Sequence, residues 1–146
     1  SINEIDIKSF LYGGSVLKEK DFRKTLKELD FSVYSGSIVC LFCSSDAIIP
    51  MWAYMLVSSY LVSHNFTFYF GKKNDVIQRI ALSKIKDLNT TEFKNKKVIV
   101  KGCSNESLSA HLYVAITKKL QTSVRSLMFG EACSAVPVYK NKKNES

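Results

Sequence analysis

Two rhythms of apolar and polar positions run along the chain. From Lys18 to Leu29, Phe22, Leu26 and Leu29 recur at helical spacing among charged residues, which predicts an amphipathic helix. Ile38 to Cys43 is a continuous apolar run of strand length, and Pro50 to His64 reads as a helix that is apolar nearly all round, with Trp52, Tyr54, Met55 and Tyr60. Phe66 to Phe70 is aromatic and strand-like and stops at Gly71. Asp75 to Ile85 sets Val76, Ile77, Ile80 and Ala81 on one helical face. Lys97 to Val100 is a β-branched strand closed by Gly102. Leu108 to Leu120 predicts a helix with Leu112, Ala115, Ile116 and Leu120 facing inward and Lys118 and Lys119 at the negative end of its dipole. Val124 to Phe129 is a last strand before Gly130.

The order is therefore β-α-β-α-β-α-β after an N-terminal helical segment. Helical crossovers between short, wholly apolar strands predict an α/β fold, a four-stranded mostly parallel sheet with helices on both faces. Right-handed crossovers favour the strand order 2-1-3-4. Residues 1–17 contribute the turn signal Gly13-Gly14. No linker or repeat divides the chain, so a single domain is expected over 1–140, with a flexible basic tail over 141–146.

Composition narrows the class. A chain of 146 residues with 46% hydrophobic and 12% aromatic content can bury a core and does not read as disordered. The longest apolar stretch, Ile48 to Val62, is interrupted by Pro50, Tyr54, Ser58, Ser59 and Tyr60 and falls short of the roughly 20 residues of a membrane span. It reads as a buried helix or as a homodimer interface through Pro50–His64. Ser1 to Lys8 carries Glu4 and Asp6 and no apolar signal region. Four cysteines, too sparse for a secreted disulfide scaffold, then point to a cytoplasmic protein with free or metal-bound thiols. The net charge of +8 suggests nucleic acid, but 18 lysines stand against 3 arginines, as in an AT-rich genome, and the aromatics are not interleaved with the basic residues. Nucleic acid is therefore not the expected partner.

The candidate chemistry lies in three Cys-Ser steps. Cys43-Ser44 follows the first predicted strand, Cys103-Ser104 the third, and Cys133-Ser134 the fourth. Ligands of open parallel sheets sit outside the carboxyl ends of the strands, so the 2-1-3-4 order gathers the three thiols at one edge. Helix N-termini favour a thiolate, and Lys101, two residues before Cys103, would assist. Three thiolates can ligate zinc, iron or an iron–sulfur cluster, with a fourth ligand from outside the chain or from Asp46 or Glu131. Cys43, Cys103 and Cys133 are thus the candidate catalytic or metal residues, and Asp46, Lys101 and Glu131 the groups that would tune them. The plain alternatives are three small residues packed at strand ends and, for Asp46, a loop or capping role. Cys40 shares C-x-x-C spacing with Cys43, but residues three apart on a strand face opposite ways, which makes Cys40 a core residue. His64 and His111 form no paired metal motif, and no phosphate-binding glycine loop or nucleophile elbow is present, so no nucleotide cofactor is expected.

These cysteine segments carry a resemblance. The stretches Cys43-Ser-Ser-Asp-Ala-Ile-Ile-Pro-Met-Trp-Ala-Tyr-Met55, Lys101-Gly-Cys-Ser104 and Met128-Phe-Gly-Glu-Ala-Cys-Ser-Ala-Val-Pro-Val-Tyr-Lys140, with Leu17-Lys-Glu-Lys-Asp-Phe-Arg23, resemble a Bacteroidota family catalogued as domain of unknown function 2480. Its members are often encoded beside the sulfur-mobilisation (Suf) machinery. The resemblance thus implies an accessory role with iron–sulfur assembly proteins and places Cys43, Cys103 and Cys133 inside the family's motifs, while Cys40 falls where the family commonly has a small residue. The expected function is an accessory protein of iron–sulfur cluster biogenesis holding a metal, cluster or sulfur. The rivals are a thiol-dependent enzyme of persulfide or disulfide exchange and a dimeric binding module without chemistry.

Overall fold

The computed structural model describes residues 1–102 and 108–142. The chain forms two compact units, Ser1–Val76 and Ile77–Ser146.

The first unit is built on three parallel strands, β1 (Ile2–Asp6), β2 (Ile38–Phe42) and β3 (Phe68–Phe70), in the spatial order β1-β2-β3. Helix α1 (Glu19–Glu28) opens with Glu19 and Asp21, which suit the positive end of its dipole, and buries Phe22 and Leu26 one turn apart. Phe22 is fully enclosed, edge-on to Phe10 at 6.0 Å and to Trp52 at 5.8 Å. Helix α2 (Met51–Ser63) buries Ala53, Val57 and Leu61, a four-residue repeat that lies on one stripe. Its opposite side, Met51, Met55 and Val62, is exposed. The helix that reads as apolar all round is therefore covered on its core-facing side and bare on the other. With Ile5, Ile7, Val39 and Leu41 these side chains make the core of the unit.

The second unit pairs β4 (Lys97–Val100) parallel with β5 (Ser126–Phe129), and β5 antiparallel with β6 (Val136–Lys140). Helix α3 (Lys73–Lys86) enters the unit at Ile77, and α4 (Ala110–Leu120) connects β4 to β5. Gln78 Oε1 accepts from the Ser109 amide and hydroxyl at 3.1 and 3.0 Å, and Lys119 Nζ donates to the Lys86 carbonyl at 2.6 Å. The start of α4 thus meets the second turn of α3, and the last turns of the two helices meet: α3 and α4 run in the same direction. Leu120, Val124 and Leu127 form the core, with Val98, Val100, Ile116 and Tyr139 packed on it.

The α/β class holds, with four α-helices among the described residues. The single four-stranded sheet in order 2-1-3-4 does not: the described residues form two three-stranded sheets. The flank of Ile38–Phe42 assigned to Lys97–Val100 is occupied by Ile2–Asp6, and Lys97–Val100 pairs with Ser126–Phe129 instead. The expected N-terminal helix is present as α1, but a strand precedes it. Of the basic tail expected over 141–146, residues 143–146 lie outside the described residues. No helix among the described residues is long and apolar enough to cross a membrane.

Candidate functional site

In the first unit, β1 ends at Asp6 directly opposite Phe42, the last residue of β2. Asp6 caps the short 3-10 helix Ile7–Phe10 through the Lys8 amide at 3.0 Å. The same carboxylate accepts from the Ser44 amide at 3.0 Å and the Ser44 hydroxyl at 2.5 Å. One step on, the Ser45 hydroxyl donates to the Gly14 carbonyl at 2.9 Å and accepts from the Ala47 amide at 3.1 Å. The loop after β2 is therefore pinned at two successive serines, which leaves the half-buried Cys43 on a fixed backbone.

Burial works to raise the Asp6 carboxyl, but the bonds from the Ser44 hydroxyl and amide and the Lys8 amide, with the Lys8 charge, outweigh it and hold the group below its ordinary value. Tyr54, on the first turns of α2, is shifted the other way: burial, then the negative charge of Cys43 and Asp6, pushes its phenol up. Asp6, Cys43 and Tyr54 thus form one corner at the carboxyl end of the sheet. Because the Asp6 pKa is depressed on folding, its contribution is complete above the ordinary carboxyl value of 3.8 and is lost as pH falls through the lowered value. Asp6→Asn should therefore show a stability deficit that is constant from neutral pH down to about pH 5 and shrinks on further acidification towards about pH 2.5. Urea midpoints of both proteins across that range check it, and a deficit constant over all of it would contradict the assignment.

Asp46 is exposed in the same loop, and the N-cap position of α2 is Pro50, so Asp46 is not its cap. Cys40 is fully buried, as its strand position requires, and burial followed by the Glu4 charge pushes its thiol up, against Lys73. His64 stacks on Phe31 at 4.5 Å, with Nδ1 2.8 Å from the Tyr60 carbonyl, a helix-end role.

In the second unit, β4 and β5 leave the sheet side by side, Val100 opposite Phe129, with the Gly130 amide on the Val100 carbonyl at 2.9 Å. Gly130 stands at φ +115°, where a side chain would be strained. The residues that follow, Lys101 and Glu131, consequently meet: Nζ and Oε2 are 3.2 Å apart, both side chains well exposed. The Glu131 carbonyl then accepts from the Ser134 amide at 2.9 Å, closing a turn with the exposed Cys133 in its third position. Cys133, Lys101 and Glu131 share one edge of this unit. An open apolar cleft of about 330 Å³ lies between α4 and the sheet, lined by Val100, Tyr113, Ile116, Leu127, Phe129 and Val138 among others.

Of the sequence-predicted site residues, Cys43 and Asp46 belong to the first unit, and Lys101, Glu131 and Cys133 to the second. Cys103 lies outside the described residues. Of the two strand adjacencies expected to gather the three thiols, that of Lys97–Val100 with Ser126–Phe129 is present, and that of Ile38–Phe42 with Lys97–Val100 is not found among the described residues. Within either unit, among the described residues, no three His, Cys, Asp or Glu side chains form a metal-binding group. Sequence reasoning missed Asp6, Ser44 and Tyr54. The available signal was Asp6 itself, an N-cap residue type directly before Ile7-Lys8-Ser9, and the serine of the first Cys-Ser step.

A family model described as Protein of unknown function (DUF2480) matches residues 1–141, and the chain belongs to that family. No curated protein and no solved structure matches the chain.

Proposed function

We propose, from this family membership, that the protein is an accessory factor of iron–sulfur cluster biogenesis that carries sulfur on a cysteine, with Cys133 as the transfer thiol. The supporting observation is the exposed Cys133 on a tight turn beside the Lys101–Glu131 pair. A carried sulfur needs one accessible thiol, whereas zinc, iron or a cluster needs three or four donors. The setting in iron–sulfur assembly rests on the gene neighbourhood of the family.

The step balances simply. The Cys133 thiolate attacks the outer sulfur of a donor protein's cysteine persulfide, the S–S bond of the donor breaks, and the donor thiolate leaves and takes up the proton lost by Cys133. Lys101 supplies positive charge near the turn, and Glu131 positions it. Cys43 and Cys103 are further candidate thiols of the same chemistry.

Incubation with a persulfide donor, followed by intact-protein mass spectrometry, tests the reading. A gain of one sulfur is expected, retained in Cys43→Ser and Cys103→Ser and lost in Cys133→Ser. Equal loading of Cys133→Ser overturns the assignment. Anaerobic purification with metal and sulfide analysis runs beside it, and stoichiometric iron or zinc lost on changing Cys43, Cys103 or Cys133 would replace the sulfur carrier with a metal site.

A further inference from the structure

The parallel run of α3 and α4 has an electrostatic consequence. Two negative helix ends lie together, and the last turns there carry Lys84, Lys86, Lys118 and Lys119. Lys119 is engaged on the Lys86 carbonyl. Beside these residues the two helices leave a groove of about 400 Å³ lined by Leu82, Ile85, Lys86, Ala115, Lys118 and Lys119. Its floor is apolar and open: Leu82 is 44% exposed, and Ala115 offers only a methyl group between longer neighbours. From Ile77 to Lys86 and from Ala110 to Leu120 there is no aspartate or glutamate, while Arg79 adds to the positive side; Asp87 is the first carboxylate past the end of α3.

We infer that this groove docks an acidic amphipathic helix of a partner protein. Apolar residues one turn apart would seat over Ala115 between Leu82 and Ile85, and flanking carboxylates would meet Lys86 and Lys118, the helix-in-groove mode of recognition. Charge complementarity carries the choice of occupant. A nucleic acid would leave the apolar floor unused, and no lining residue is aromatic to stack a base. A flat membrane surface would rest across the two helices and leave the groove between them unfilled. The inference does not depend on the thiol reading, because no cysteine takes part.

The test is selection from a display library of random peptides of about 16 residues on the full-length chain, with the selected peptides then titrated by fluorescence anisotropy. Acidic sequences with apolar residues at helical spacing are expected. Their affinity should fall about tenfold or more in Lys86→Glu/Lys118→Glu and in Ala115→Gln, which fills the floor, and should fall with added salt. Thermal melts confirm that the variants fold; if Ala115→Gln does not, the exposed lysine pair alone decides. Failure to enrich any peptide, enrichment without acidic character, or affinity unchanged in the lysine variant overturns the inference. So does displacement of the peptides at similar strength by homopolymeric single-stranded RNA or by anionic phosphatidylglycerol vesicles.

Discussion

Phe22→Ala should lower the stability of the first unit by about 3–5 kcal/mol, the usual cost of emptying a buried aromatic site. The cost should sit in the upper part of that range. Phe22 is wholly enclosed, and its edge-to-face contacts with Phe10 and Trp52 are lost together with its buried area. The neighbours are rings and a strand core, which have little freedom to collapse into the void. The chain has one tryptophan, and Trp52 lies against Phe22, so its fluorescence during urea unfolding reports on this unit directly. A midpoint shift worth less than about 1 kcal/mol would mean that α1 is not packed as described.

Leu127→Ala should cost the second unit about 2–5 kcal/mol. Leu127 is buried on β5, in one core cluster with Leu120 and Val124, and it also walls the open cleft. Water already has access to that side, so the truncation enlarges an existing opening instead of sealing a new void. The loss should therefore fall in the lower half of the range. Far-UV circular dichroism follows it, and comparison with Trp52 fluorescence on the same samples shows whether the two units melt in one transition. An unshifted dichroism midpoint would remove Leu127 from the core.

Both cores rest on elements that are legible in the sequence, and the reason is local. Ile38–Phe42 and Lys97–Val100 are short apolar runs, and the second is closed by a glycine; α1, α3 and α4 show one apolar face among charges. The parallel pairings β2–β3 and β4–β5 follow from single helical crossovers and are legible as well. What lies on the other flank of each pair is not. In β1 only Ile5 is buried, and Asn3, Glu4 and Asp6 give it the composition of a loop; it is a strand because β2 offers a free edge. In β6 the exposed Val136 and Val138 surround Pro137, which cannot donate to a ladder and reads against a strand. The edge strand β1 thus turned one expected sheet into two by taking the flank of β2, while β6 extends the second sheet at its far edge.

The candidate site divides on the same line. Lys101 and Glu131 meet because they follow neighbouring parallel strands, which their spacing after β4 and β5 already implies. Asp6 binds Ser44 only because β1 lies beside β2, so its part was invisible once β1 was. Cysteine drew attention to each Cys-Ser step, yet in the first step it is the serine that holds the Asp6 carboxylate.

The pairing of β1 also sets a clock. Ile2 lies opposite Ile38, so during synthesis the first strand is complete before its partner exists. At roughly 5–20 residues per second, β1 waits roughly 2–7 s for β2 to be made. Its polar Asn3, Glu4 and Asp6 make that wait tolerable, since a more apolar strand would spend those seconds as an unpaired, sticky edge.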